Sequence, residues 1–289
     1  MLGPLFLSFR SLRLIGCFAL FGCVSLLPLP ADPGVEGDTP ARILVLHAYH
    51  PGFSWVEGVD AGLRESLEGV DATLSFAYLD SKREPYEREA EAMLPYLQRK
   101  YAGSPPDLLV AVDNNALRFI REHSDELFPG VPLFFAGINN FSEDDLAGLE
   151  RPVSGVVEEV DAPGTLRLIR KLQPEAEKLY LVTGTTPTAQ AVRQEVAQSL
   201  ASRQQGLELV WLDGLSTAAL QKQLEAIAPT DAVLLNLFNR DGEGRYYEYE
   251  QAGELIAKHS PAPVYGMWDF YLGSGIVGGR LASSHDQGL

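Results

Sequence analysis

The chain alternates between short apolar runs and longer segments with helical periodicity. Six apolar runs of strand length end in small, hydroxyl, amide or aromatic residues, and they lie at 42–48, 108–112, 133–136, 179–182, 232–237 and 264–266. Near-continuous apolar strands separated by helices are typical of a parallel sheet that is covered on both faces. The pattern therefore predicts an α/β protein.

The full alternation predicts nine strands and eight helices. The strands are expected at 42–48, 72–79, 107–112, 131–136, 153–159, 178–183, 207–212, 231–237 and 263–267. The helices are expected at 54–68, 85–101, 114–126, 142–148, 162–172, 187–204, 216–227 and 248–259. Two halves of similar length predict two doubly wound parallel-sheet lobes with a cleft between them. We expect an N-terminal lobe over 42–158, a C-terminal lobe over 159–270 and a return crossover over 271–289.

Residues 1–31 have the features of an export signal. Arg10 and Arg13 precede an apolar stretch over 14–27, and Ala31 supplies a small residue at the expected cleavage point. Such a charged start, short apolar region and small residue define secretory signals. The apolar stretch is also shorter than the ~20 residues of a membrane-spanning helix. We predict a signal peptide and a periplasmic or extracytoplasmic location.

Two alternatives for this segment remain open. Lipidation of Cys23 or an uncleaved signal would keep the protein anchored to the membrane. Both cysteines, Cys17 and Cys23, lie in the predicted signal, so the exported part is expected to contain neither a disulfide nor thiol chemistry. Residues 32–41 are rich in Gly, Pro and Asp and are interpreted as a linker.

The net charge argues against nucleic acid as a partner. The chain carries a formal charge of −16. Two of its 23 basic residues and none of its 39 acidic residues lie in the first 31 positions, so the exported part carries −18. A phosphate backbone or an anionic lipid surface would repel such a domain. The charge does not select a small ligand.

Polar and aromatic residues concentrate at the carboxyl ends of the predicted strands, where α/β sheets bind ligands. We therefore expect a site between the lobes, formed by Ser54, Trp55, Asp113, Asn114 and Asn139 from the first lobe and by Thr185, Thr186, Asn236, Trp268 and Asp269 from the second. Carboxylates, amides, hydroxyls and indoles suit a small zwitterionic or hydroxylated ligand, such as an amino acid, which could carry a ring. No cofactor is expected.

Structural interpretations compete with each of these assignments. Residues 113–115 could cap a helix, and residues 183–186 could form a capped turn or an anion site at a helix N-terminus. Asp269 could pair with a ligand ammonium, or it could make a hinge contact between the lobes. His47 and His50 could bind zinc, although hydrogen bonding to ligand or backbone is the favoured interpretation.

A catalytic set is missing from the sequence patterns. There is no Gly-x-Ser-x-Gly elbow and no His-Glu-x-x-His motif. Glu158 and Glu159 are adjacent on a predicted strand, so their side chains should point to opposite faces and form a poor catalytic pair. A binding protein is therefore predicted, with a periplasmic hydrolase that uses the interlobe cleft as the alternative.

Several motifs resemble the ABC-transporter substrate-binding-protein-like family, whose fold is similar to type I periplasmic binding proteins. They are 47–55 (HAYHPGFSW), 78–83 (YLDSKR), 111–116 (AVDNNA), 127–132 (LFPGVP) and 263–279 (PVYGMWDFYLGSGIVGG). The resemblance implies a two-lobed module that closes on a small molecule.

The resemblance also implies two kinds of partner. Members occur as free solute-binding proteins of an ABC permease and as extracytoplasmic input domains of sensor histidine kinases and diguanylate cyclases, which carry their own membrane signalling domains. Members normally continue past residues 284–288 into a further helix. A truncated reading frame or the input part of a longer signalling protein is therefore expected.

Overall fold

The protein consists of parallel strands that alternate with helices. The computed structural model describes residues 39–124, 126–201 and 206–289, so the predicted signal peptide and most of the linker lie outside the described residues. The strands are β1 Ala41–His47, β2 Ala72–Tyr78, β3 Leu108–Val112, β4 Leu133–Asn139, β5 Val153–Glu158, β6 Lys178–Thr183, β7 Glu208–Asp213, β8 Ala232–Leu235 and β9 Val264–Gly266. The helices are α1 Ser54–Ser66, α2 Tyr86–Lys100, α3 Asn114–Glu122, α4 Ala162–Leu172, α5 Pro187–Leu200, α6 Thr217–Glu225, α7 Tyr249–His259 and α8 Ser284–Gly288.

Each predicted strand and helix has a counterpart, although several helices are shorter than predicted. The expected helix at 142–148 is a 3-10 helix over Glu143–Leu146, and a second 3-10 helix covers Asp269–Tyr271. Thr186 and Ser216 are N-caps, because each side chain accepts a hydrogen bond from a backbone N–H in the first helical turn.

The strands form two separate parallel sheets. The first has the order β2-β1-β3-β4-β5, and the second has the order β7-β6-β8-β9. All neighbouring strands within each sheet run parallel. This confirms the predicted α/β class with two doubly wound lobes.

The two sheets repeat the same winding. In each sheet the first strand of the half has the second strand on one side and the third strand on the other. The strand order therefore reverses between β1 and β3 in the first lobe and between β6 and β8 in the second. Loops on either side of such a reversal leave a crevice at the carboxyl ends of the strands. The topology therefore provides one crevice per lobe.

The central strands hold the core because they are apolar on both faces. Leu44, Val45 and Leu46 of β1 are buried, and so are all four residues of β8. Amphipathic helices cover the sheets, as in α3, whose buried residues are Ala116, Leu117, Phe119 and Ile120. No helix in the described part of the chain combines the length and the apolar character needed to cross a membrane.

The last helix returns to the first lobe. After β9 the backbone forms isolated parallel bridges from Tyr265 to Gly278 and from Trp268 to Ala282, and α8 then packs on α1. Gly62 of α1 lies against the backbone of α8. The lobe boundaries that the sequence suggests stay a prediction.

The close approach of α1 and α8 generates a stability prediction. A methyl group at Gly62 would overlap the backbone of His285 and Gly288, which cannot move aside as a flexible side chain could. We expect Gly62→Ala to lower the free energy of unfolding by about 1–3 kcal/mol, despite the better helix propensity of Ala. Denaturant unfolding measures this change. Gly103→Ala is the control, because Gly103 faces open space. Equal stability of the two variants would contradict the tight packing.

Candidate functional site

Two adjoining cavities lie between the carboxyl ends of the two sheets. The inner cavity has a volume of about 20 Å³ and is lined by Tyr49, Phe53, Trp55, Lys82, Asp113, Asn139, Glu158, Thr188, Leu237, Tyr249, Trp268 and Phe270. The outer cavity has a volume of about 670 Å³ and shares Tyr49, Lys82, Asn139 and Thr188 with the inner one. The inner space holds about one water molecule. A larger occupant therefore requires the lobes or their side chains to move apart.

Asp113 is held in a strained backbone conformation at the inner cavity. It follows β3 and precedes α3 with φ 72° and ψ 163°, a region that is almost restricted to glycine. Its side chain makes no capping hydrogen bond to α3, so the capping interpretation does not account for this residue. Strain of this kind costs about 1–3 kcal/mol and is concentrated at functional sites.

The Asp113 carboxyl group is buried without full compensation. The side chains of Tyr49 and Trp55 face it. Neither Asp113 Oδ2 nor Trp55 Nε1, however, has a hydrogen-bond partner of normal geometry in the described chain. Burial raises the pKa of Asp113 well above its usual range, and the charge of Glu158 raises it further, while Lys82 opposes the shift. The buried Oδ2 without a partner is a ready acceptor for a ligand donor.

Glu158 supplies a second carboxyl group to the same cavity. It is the last residue of β5, where Trp268 donates a hydrogen bond to Oε1 and Asn139 Nδ2 donates to Oε2 at 3.0 Å. Burial raises the pKa of Glu158 to about 7, although these hydrogen bonds and the charge of Lys82 oppose the rise. Strand alternation separates Glu158 from the exposed Glu159, as predicted. The sequence pattern alone does not show that the Glu158 face of the strand borders the cavity.

The side-chain amide of Asn114, just after β3, bonds to the backbone of Asn139 at the end of β4. Asn114 Nδ2 donates to the backbone oxygen of Asn139 at 2.9 Å, and Asn114 Oδ1 accepts from the Asn139 N–H at 3.0 Å. Asn115 Nδ2 donates to Ser81 Oγ at 2.9 Å. The side chain of Asn114 is thus a scaffold for Asn139, whose own amide orients Glu158.

Six aromatic rings surround the two carboxyl groups. Phe270 is the centre of this group, since it stacks on Tyr249 at 4.2 Å and on Trp268 at 6.0 Å between centroids, and meets Trp55 edge-on at 6.0 Å. Phe53 lies 5.4 Å from Tyr249 and 5.5 Å from Tyr49. These rings come from both lobes. They form apolar walls that can also attract a cation through their faces.

Lys82 extends into the same aromatic group. Its side chain is buried, and Nζ lies 4.2 Å from the Tyr49 ring centroid and donates to the Tyr249 hydroxyl at 3.1 Å. Burial lowers the pKa of Lys82 to about 8, and the charges of Asp113 and Glu158 oppose this decrease. In the sequence, Lys82 is distinguished only as part of the 78–83 motif.

Six of the ten residues that the sequence predicts line these cavities. Trp55, Asp113 and Trp268 line the inner cavity, Asn114 and Thr186 line the outer one, and Asn139 lines both. Their contact with a ligand stays a prediction.

The other four predicted residues have different surroundings. Ser54 begins α1 and does not line either cavity. The Thr185 hydroxyl donates to the Asp241 backbone oxygen at 2.9 Å, and Asn236 Nδ2 donates to Thr183 Oγ1 at 3.2 Å. The Asp269 carboxylate accepts from the Ser284 N–H at 2.9 Å, so it is engaged at the start of α8. The structure therefore does not bring Asp269 to the carboxyl pair.

The two strand-end histidines lie beside separate carboxylates. His47 Nε2 lies 2.7 Å from Asp60 Oδ1, and His50 Nδ1 lies 3.4 Å from Asp80 Oδ1. Across residues 39–124, 126–201 and 206–289, no group of three or more His, Cys, Asp or Glu side chains could hold a metal ion.

Several solved structures share this fold at low sequence identity. An open, ligand-free substrate-binding protein with adhesive properties from Clostridium difficile superposes with a TM-score of 0.60 at 14% identity, over 86% of this chain and 81% of that chain. The ABC domain from Streptococcus pneumoniae, solved in complex with L-Trp, gives 0.58 at 18% identity over the same shares. A periplasmic ribose ABC transporter protein from Conexibacter woesei gives 0.53 at 14% identity over 88% and 84%.

These similarities establish the fold. They confirm the type I periplasmic-binding architecture that the sequence motifs imply. Neither protein-family models nor curated proteins give a match to the sequence.

The strained backbone at Asp113 leads to a test of stability. Asp113→Gly removes both the unfavourable φ and an unpaired buried carboxyl group, so we expect the free energy of unfolding to rise by about 1 kcal/mol or more. Asp71→Gly is the control, because Asp71 is exposed, has no positive φ and should lose about 0.5–1 kcal/mol. Chemical denaturation of the ligand-free proteins measures both. Equal losses in the two variants would show that Asp113 is not strained.

The raised pKa of Glu158 predicts a pH dependence. The folded protein keeps a proton on Glu158 up to about pH 7, whereas the unfolded chain releases it near the usual value of 4.5. The group therefore favours folding fully below pH 4.5, and this contribution is lost as the pH rises to about 7. Glu158→Gln should remove about 3 kcal/mol of pH dependence across this window.

Unfolding curves at several pH values measure this effect. Glu150→Gln is the control, because Glu150 is exposed. A Glu158→Gln profile that remains parallel to that of the unsubstituted protein would contradict the assigned protonation.

Proposed function

We propose that this chain is an extracytoplasmic solute-binding protein whose lobes close on a small organic cation or zwitterion. The observation that carries the proposal is the strained Asp113 carboxyl group, which is buried beside Glu158 in an aromatic cavity between two lobes. A buried carboxyl pair without a full set of donors favours a ligand that brings an ammonium group. The type I periplasmic-binding fold supplies the hinged lobes that such a ligand closes.

The surroundings of the carboxyl pair favour a ligand with an apolar or aromatic body. The six rings would pack on such a body after the lobes separate and close again. The fold alone does not select this class, since structures with it include an L-Trp complex and a myo-inositol complex. The choice rests on the carboxyl groups and rings of this chain.

The outer cavity favours a ligand whose other end is anionic or polar. Its lining includes Arg240, Thr186 and Thr188. Arg240 Nε is buried without a hydrogen-bond partner among the described residues, and Thr186 begins α5, whose N-terminal N–H groups attract negative charge. An amino acid with a ring fits this polarity, because its ammonium and its carboxylate would meet opposite charges.

Binding is favoured over hydrolysis by the lack of a recognisable catalytic set. The sequence contains neither a Gly-x-Ser-x-Gly elbow nor a His-Glu-x-x-His motif. Several structural neighbours are named as binding proteins. Turnover of a bound compound by the purified protein would instead favour the hydrolase alternative.

Two physiological roles fit a solute-binding module. It could deliver its ligand to an ABC permease, or it could be the sensing input of a membrane signalling protein. Neighbouring permease and ATPase genes would support uptake. A membrane helix with a kinase or cyclase domain in the same reading frame would support sensing.

A binding screen with matched variants tests the site. Amino acids and ring-bearing amines are screened against the purified protein by thermal shift, and hits are measured by calorimetry. We expect Asp113→Asn to weaken a hit about tenfold or more, because a charge-assisted hydrogen bond is lost. Asp269→Asn is the control and should leave affinity nearly unchanged, because Asp269 contacts Ser284 instead. Equal losses would contradict the inner-cavity site, and no hits at all would contradict the proposed ligand class.

A further inference from the structure

Lys82 places a positive charge inside the inner cavity. Its Nζ faces three rings, at 4.2 Å from the centroid of Tyr49, 5.5 Å from Tyr249 and 5.8 Å from Phe53. Such distances are within the range of cation–π attraction. The ammonium donates one hydrogen bond, to the Tyr249 hydroxyl, and makes no direct ion pair within the described part of the chain. The Lys82 ammonium therefore lies among ring faces and near carboxyl groups, the same surroundings that a ligand ammonium would need.

The charge of Lys82 balances the carboxyl groups. Asp113 and Glu158 are both close enough to favour its protonated form. A closed cavity that held two carboxylates and no cation would be strongly disfavoured, because buried charges need compensation. Lys82 compensates one of them in the absence of any ligand.

Lys82 also joins the two lobes. It belongs to the loop after β2 in the first lobe, whereas Tyr249 begins α7 in the second. The Lys82 backbone oxygen accepts a second hydrogen bond from the second lobe, from Arg240 Nη2 at 3.3 Å. Both the side chain and the backbone of this residue therefore cross the cleft.

We propose that the Lys82 ammonium is a built-in occupant of the cation subsite. It holds the lobes closed without ligand, and an incoming ligand cation displaces it. This proposal rests on the proposed function, because the subsite is the one assigned above to the ligand ammonium. The displaced side chain has an exit, since Lys82 also lines the outer cavity together with Glu84 and Glu87.

The proposal makes Lys82 a determinant of ligand charge. A ligand with one ammonium takes the place of Lys82 and leaves the charge of the cavity unchanged, whereas a second ligand ammonium meets repulsion from the displaced Lys82, which stays tethered beside the cavity. Without the Lys82 charge, both carboxyl groups are available to a dication, whose two positive charges favour their ionised forms. Lys82→Met keeps the length of the side chain and removes the ammonium.

The closure is tested without ligand, so this readout does not depend on the proposed function. The background is Trp211→Phe, which leaves Trp55 and Trp268, the two tryptophans that line the inner cavity. Acrylamide quenching of their fluorescence is compared in Lys82→Met and in the control Lys222→Met, whose lysine is exposed on α6.

We expect quenching to be weak in the background protein and in Lys222→Met, and to roughly double in Lys82→Met as the lobes separate. Unchanged quenching in a folded Lys82→Met, checked by circular dichroism, would overturn the proposal. Strong quenching in the background protein would also overturn it. If Lys82→Met does not fold, Tyr249→Phe replaces it, because it removes only the hydroxyl that accepts from Lys82. Unchanged quenching in Tyr249→Phe would likewise overturn the proposal.

The charge preference is tested with benzylamine and p-xylylenediamine. These probes share one ring and differ by one aminomethyl group. By calorimetry we expect the unsubstituted protein to favour the monoamine, and Lys82→Met to shift the affinity ratio about tenfold or more toward the diamine. An unchanged ratio would overturn the charge role of Lys82. If neither probe binds either protein, the proposed ligand class fails, and the quenching result still decides the closure.

Discussion

The burial of two carboxyl groups between the lobes is the constraint on which the rest of the site depends. Asp113 and Glu158 lie where water is excluded, and an ionised carboxylate in such surroundings is strongly disfavoured unless donors or cations face it. The neighbouring groups can be understood as partial compensation. Trp268 and Asn139 donate to Glu158, and Lys82 contributes a positive charge to both. Compensation remains incomplete at Asp113, and this imbalance makes the site receptive to a ligand.

The doubly wound topology explains why these groups meet. β1 and β3 flank the reversal of strand order in the first sheet, so the segments that follow them bring Trp55 and Asp113 to one crevice. β5 is the edge strand of that sheet, and Glu158 is its last residue, shortly before the chain passes to α4. The carboxyl pair therefore lies beside the connection between the lobes. A charge change there can act on the lobe geometry over a short distance.

The sequence predicts the fold better than it predicts the site. Apolar strands and periodic helices follow local patterns, and therefore nine strands and the α/β class could be derived from them. Asp113 and Trp268 could also be found, because strand ends are readable from the same pattern. Lys82, Tyr249 and Phe270 could not, because their approach depends on how distant segments pack. Asp269 shows the converse: its partner Ser284 arrives only when α8 returns to the first lobe.

The charge balance of the cavity links ligand chemistry to lobe motion. A closed state needs either protons on Asp113 and Glu158 or a cation near them, because two buried carboxylates alone would repel each other. Lys82 meets this need from within the chain, and a ligand ammonium meets it from outside. The two cations differ in what they contact. A free ligand can contact the rings and Arg240 at the same time, whereas the Lys82 ammonium contacts only the rings. A ligand shifts the conformational equilibrium only by the difference between its interactions in the two states. The ligand makes contacts that Lys82 does not make. The free energy of those extra contacts is therefore what can stabilise a ligand-bound closed form over an empty one.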